Sequence, residues 1–239
     1  MTPEQLVRIQ ATRVAQVRRA TVGTVQRTWL ALDDYRDDDI ARWVRAVSPA
    51  VQAGQIRTAA LTDAYLAAYR TLTVEPSRPV GVPADVATGA RGVPTADVYA
   101  RMGPEVWSKL ANGLSFDEAV NAGLARAVKS AATDMQLAKT HAANYVFSVD
   151  DRVTSYRRVV NGKTCSLCIS AADRTYYRGD LLPIHPGCDC GVQPVYGDPA
   201  PAVNGPAELA DDRGDVEVNE HGELGPVLTV AGQHFEGPR

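Results

Sequence analysis

Residues 115–147 read SFDEAVNAGLARAVKSAATDMQLAKTHAANYVF, and this stretch decides the fold. Ser115 and Glu118 stand at the two positions of a helix capping box, where each side chain can bond to the other's backbone N–H. Val120, Leu124, Ala127, Ala131, Met135, Ala138, Ala142 and Tyr145 then recur at three- and four-residue steps. That period marks one face of a long helix. The stripe is rich in alanine, so a neighbouring helix can approach closely, and it reads as core rather than binding surface. The other face carries Arg126, Lys129, Lys139 and His141. It reads as the solvated side, with a basic face toward nucleic acid as the alternative.

Working outward, helix signals also dominate upstream. Thr2-Pro3-Glu4-Gln5 combines a cap residue, a first-turn proline and a capping-box glutamine. Val7, Ala11, Val14, Thr21, Val25, Trp29 and Leu32 continue the pattern, so a helix is expected over 3–32. Others are expected near 37–52, with a break at Ser48-Pro49, and near 56–73. Residues 74–103 are rich in Pro and Gly and read as a long connector holding a short helix near 84–89. Downstream, 154–160 alternates like a strand and Asn161-Gly162 signals a tight turn. Beyond Gly197 only Pro226–Ala231 looks capable of forming a strand.

Composition agrees. Aromatic residues are only 6% of the chain, so the core must be built from Ala, Val and Leu, which favours packed helices. The expected fold is mainly α. A helical body spans 1–147, and its last, long helix leads into a small β-rich zinc-binding module at 148–197. An acidic, flexible tail follows at 198–239. The formal net charge of -3 hides a basic head and an acidic tail. Arg8, Arg13, Arg18, Arg19 and Arg27 face Glu4 alone in the first thirty residues, and nine acidic side chains face Arg213 and Arg239 after Gly197. No apolar run is long enough for a membrane span and no secretory signal is visible, so synthesis in a reducing host cytoplasm is expected.

All four cysteines fall between 165 and 190. Cys165-x2-Cys168 follows the turn, and His185-x2-Cys188-x-Cys190 follows sixteen intervening residues. A tetrahedral zinc ion takes four soft or borderline donors, and these five residues could supply them. Cys165, Cys168 and His185 form the core of the set, with the fourth place open to Cys188 or Cys190. Two disulfides, unligated buried cysteines and a redox C-x-x-C are the competing readings. A module of this size with few large apolar side chains would need the metal for its stability. Catalytic zinc is disfavoured, because the segment has no H-E-x-x-H and no deaminase-type glutamate beside its ligands. A cysteine nucleophile with His185 as base would compete with metal binding. No catalytic residue is assigned.

The C-x2-C, followed by Tyr176, Gly179-Asp180 and His185-Pro186-x-Cys188-x-Cys190, resembles the Mu F-like minor capsid (head morphogenesis) proteins of tailed phages, in their mycobacteriophage form. Asp189 stands where family members usually carry Arg. The resemblance covers 150–196 and the helical layout before it. It implies a zinc-bearing structural protein of the virion, at the portal vertex or capsid interior. Its partners would be the portal protein, the major capsid protein and packaged DNA, with no membrane or small-molecule substrate. Arg13, Arg18, Arg19, Arg157 and Arg158 are the candidate nucleic-acid or partner contacts. A capsid maturation protease and a zinc module that binds nucleic acid are the alternative functions.

Overall fold

A computed structural model describes residues 1–160, 166–172, 174–178, 190–197, 214–221 and 225–230. They are mainly helical. The first helix, α1, runs Pro3–Leu30. Its capping box forms as read: Gln5 N–H donates to Thr2 Oγ1 at 3.3 Å, and Thr2 N–H donates to Gln5 Oε1 at 2.9 Å. Helix α2 runs Asp37–Thr73 without interruption. The expected break at Ser48-Pro49 does not occur. Pro49 faces solvent, so water can reach the Arg45 carbonyl that loses its partner, while Val44, Val47, Ser48 and Val51 are buried on the other side. Burial of that face outweighs the local cost of the proline.

The connector is more structured than its composition suggested. It contains α3 (Ala84–Thr88) and α4 (Thr95–Ala100), and α5 (Met102–Ala111) begins before it ends. Buried polar contacts tie it to the body. The Asp63 carboxylate accepts the N–H groups of Val80 and Gly81 at 3.0 and 2.8 Å. Arg91 Nε meets Asp134 Oδ1 at 2.5 Å, its Nη2 donates to the Ser130 carbonyl, and Tyr99 Oη donates to Asp134 Oδ2 at 2.9 Å.

Helix α6 runs Phe116–Val149 with the Ser115/Glu118 capping box formed. Ala127, Ala131, Met135, Ala138 and Ala142 are buried as expected. The solvated face is a different matter. Arg126 pairs with Glu105 at 2.5 Å, but from Thr133 to Ala138 every residue is buried. A helix enclosed on all sides is an internal element. Lys139 is half-buried, its Nζ donating to the Cys190 carbonyl at 2.8 Å, and His141 is also half-buried. Among the described residues, no helix is long and apolar enough to cross a membrane.

Beyond α6 come β1 (Val153–Val159), α7 (Ser166–Ala172), β2 (Thr175–Tyr177) and β3 (Gly191–Tyr196). The three strands form an antiparallel sheet in the order β2-β1-β3, with Tyr156 opposite Tyr176 on one side and Pro194 on the other. Strands β4 (Val216–His221) and β5 (Gly225–Val230) form an antiparallel hairpin. Only β5 was read from the sequence. The tail was expected to be flexible, yet Val216 and Leu228 join the main C-terminal core and Val227 packs with Leu137 of α6.

Two main cores result. One gathers Val25, Trp29, Trp43, Val47, Tyr99, Met102, Val106 and Met135 from five helices. Gly123 lets Trp29 lie against α6, where a Cβ would stand 2.7 Å from the Trp29 ring. The other joins Leu6, Tyr65, Tyr69 and Phe147 of the long helices to Tyr156, Leu167, Tyr176 and Leu228. Among the described residues, the sheet therefore shares its core with the long helices. It borrows the ends of α1, α2 and α6, and Arg70 of α2 pairs with Asp150 after α6 at 2.9 Å. Burial against the long helices thus adds to what a segment of this size could supply alone.

Candidate functional site

Of the five expected metal donors, Cys168 and Cys190 are described. Cys165, His185 and Cys188 lie outside the described residues, as do Asn161-Gly162, Gly179-Asp180, Pro186 and Asp189. Cys168 is the third residue of α7 and Cys190 directly precedes β3. The two are distant in sequence, yet both are buried in the same cluster with Leu167, Ala171, Tyr156 and Tyr176. Sheet pairing explains why: β1 hydrogen-bonds to β2 and β3 together, which brings the segments after the first pair and after the second pair to its two sides. Among the described residues, no group of three or more His, Cys, Asp or Glu side chains could hold a metal ion. Helix α7, which begins directly after Cys165, was not foreseen.

An aromatic stack supports this cluster. Phe147 and Tyr156 lie 6.0 Å apart and Tyr156 and Tyr176 5.3 Å apart, both stacked. Tyr176 Oη donates to the Ala171 carbonyl at 2.9 Å, tying β2 to the end of α7. The Arg158 guanidinium lies 5.3 Å from the Tyr176 ring and 5.9 Å from that of Tyr156. Burial pushes the Tyr176 hydroxyl above its ordinary pKa, and the Arg158 and Arg174 cations oppose the shift. Tyr65 Oη donates to the Val192 carbonyl at 2.8 Å, and burial also holds it protonated.

The candidate contact arginines divide. Arg13, Arg19 and Arg157 are exposed, and Arg18 is half-buried. Arg158 is buried, with its guanidinium beside the tyrosine rings, and it does not lie on the surface. The structure adds Arg57, which sequence reasoning missed. It lines a groove of about 440 Å³ between α1 and α2, together with Arg13, Gln16, Val17, Ala20 and Leu61. Which α2 residues face α1 could be read only once the Pro49 break was discarded, because a break there resets the helical phase. No protein-family profile, curated protein or solved structure matches the chain.

Proposed function

We propose that this protein is a non-enzymatic minor capsid component acting in phage head morphogenesis, docked at the portal or the inner shell and carrying a structural zinc ion. One observation carries the reading: Cys168 and Cys190, from two separate segments, are buried in one cluster beside Tyr176. That convergence accompanies the C-x2-C…H-P-x-C-x-C pattern on which the family resemblance rests. The donor chemistry fits, since Cys168 and Cys190 are both buried in one apolar cluster, the kind of surrounding in which zinc would be held as a closed site. Cys165, Cys168, His185 and one of Cys188 and Cys190 would hold it. Zinc would supply a fixed tetrahedral link between the start of α7 and the approach to β3. The chain's own residues supply the rest of the support, through the Tyr156–Tyr176 stack and the Lys139 bond to the Cys190 carbonyl.

Metal analysis of purified protein is expected to find about one zinc per chain, lost in Cys165→Ser and Cys168→Ser. Because the sheet shares its core with three long helices, chelation should lower the Tm of a transition in which the near-UV and far-UV signals melt together. Metal-free protein with an unchanged Tm would remove the zinc from the reading. The capsid role is tested by co-expression with the portal and major capsid proteins. The chain should sediment with procapsids, and its absence from particles overturns the role.

Contact with packaged DNA is a second element of this reading, favoured by the exposed Arg13–Arg57 groove. Phosphate contacts make such binding weaken steeply with salt. Arg13→Ala/Arg57→Ala should weaken duplex binding and flatten its salt dependence. Binding unchanged in that variant would assign any DNA contact elsewhere.

A further inference from the structure

A cleft of about 610 Å³ lies where the α1–α2 turn meets α5 and the start of α6, far along the chain from the cysteines. It is lined by Tyr35, Val106, Trp107, Leu110 and Phe116, and by Asp34, Arg36, Asp37 and Asp38. Three of its apolar residues are open to solvent, while Val106 is buried beneath them. Trp107 is 39% exposed, Leu110 36% and Phe116 53%, whereas Trp29 and Trp43 are buried. Single exposed apolar side chains are ordinary, but several converging on one cleft mark an interaction surface.

The floor is rigid. Trp107 Nε1 donates to the Tyr35 carbonyl at 3.2 Å, and Tyr35 Oη donates to the Trp29 carbonyl at 3.3 Å. The Tyr35 ring contacts Trp29 at 5.1 Å and Phe116 edge-on at 5.9 Å. Pre-set aromatic side chains lose little entropy when covered, and for that reason they dominate binding energies at protein interfaces.

The rim is acidic. Residues 33–39 read DDYRDDD, five aspartates around Arg36. Arg36 is engaged with Asp34 at 2.7 Å and Asp39 with Arg42 at 2.6 Å, while Asp37 and Asp38 are exposed. Acids in the first turn of α2 complement its dipole, which accounts for part of this run. Helix capping does not account for the open aromatic floor beside it.

We propose that this cleft docks a cationic amphipathic helix of a partner protein, its apolar side chains on Trp107, Leu110 and Phe116 and its Lys or Arg side chains against Asp34, Asp37 and Asp38. The surface is independent of the cysteine cluster and of the virion reading. Charge complementarity selects the occupant: the acidic rim repels the chain's own acidic C-terminal region and attracts a basic segment.

The test uses the full chain with a labelled amphipathic Leu/Lys helical peptide and its Leu/Glu counterpart. The Leu/Lys peptide should bind, weaken with added salt, and shift tryptophan emission to shorter wavelength, and Trp107→Phe should abolish the shift. Leu110→Asp and Asp37→Lys/Asp38→Lys, all at exposed positions, should each weaken binding by roughly tenfold, and Glu217→Lys in the acidic tail should leave it unchanged. Far-UV spectra establish that each variant is folded. Equal binding of both peptides, no binding, or insensitivity to the cleft variants overturns the proposal. So does concentration-dependent self-association of the wild type that Leu110→Asp removes, which would assign the cleft to a second copy.

Discussion

Gly123 shows how one missing methyl group sets the packing of a core. A Cβ there would stand 2.7 Å from both Trp29 Cζ2 and Val106 Cγ2, and the indole is held by Trp43 and Tyr35. Gly123→Ala should gain about 1 kcal/mol in helix propensity and lose about 1–3 kcal/mol to overpacking, for a net fall in Tm. An unchanged or higher Tm would mean that the Trp29 pocket is loose. His141 makes a pH-dependent contribution. Burial lowers its pKa below the ordinary 6.5, so the unfolded chain binds more protons than the folded one between those two values. Stability is then complete above about pH 6.5 and falls as the pH drops toward the folded pKa. His141→Gln should flatten denaturant midpoints measured across that window. At this scale, local chemistry was legible: the Thr2/Gln5 and Ser115/Glu118 boxes involve residues three apart, and both form. The fate of Arg158 was not, because its neighbour in sequence, Arg157, is exposed and only the arrival of Tyr176 covers it.

Element boundaries depend on which force is stronger. Pro49 carries the local signal for a helix end, and α2 ignores it because one side of that turn is buried. Pro49→Ala should restore a backbone hydrogen bond at an exposed site and raise stability by about 1–3 kcal/mol, read from Tm, since proline in a helix interior costs about 3 kcal/mol. A loss of stability would indicate that the proline sets a bend the core requires. Short elements escaped the sequence for a related reason. Helices α3, α4 and α5 have five, six and ten residues, too few turns to display a period among Pro and Gly. The segments on either side of α3 are held by Asp63, Asp134 and Ser130, which lie on α2 and α6. The alanine stripe of α6 was legible because it repeats for many turns. That its remaining faces would also be covered was not, since its coverings are the connector, the sheet and the hairpin.

The whole molecule is joined through shared cores. Leu228 of β5 is fully buried among residues of α1, α2, α6 and the sheet. Leu228→Ala should cost about 2–5 kcal/mol, with near-UV and far-UV signals melting together. A separate, early transition of the near-UV signal alone would show that the C-terminal strands melt as an independent unit. Acidic composition hid this hairpin from the sequence. Val216 and Val218 alternate with Glu217 and Asn219, but the alternation is short and β4 gains its burial only from distant partners. The Cys165-x2-Cys168 and His185-x2-Cys188-x-Cys190 spacing was legible, and the structure adds that Cys168 and Cys190 are both buried in the same core. Helix α6 connects all of this. It carries Phe116 of the aromatic cleft at one end and Phe147 of the cysteine-bearing core near the other, along 34 residues, about 50 Å of rod. Such a rod works as a ruler: a body seated on the cleft and one abutting the sheet would be kept at a set spacing, and neither could shift toward the other without breaking a helix whose middle turns are enclosed on every side.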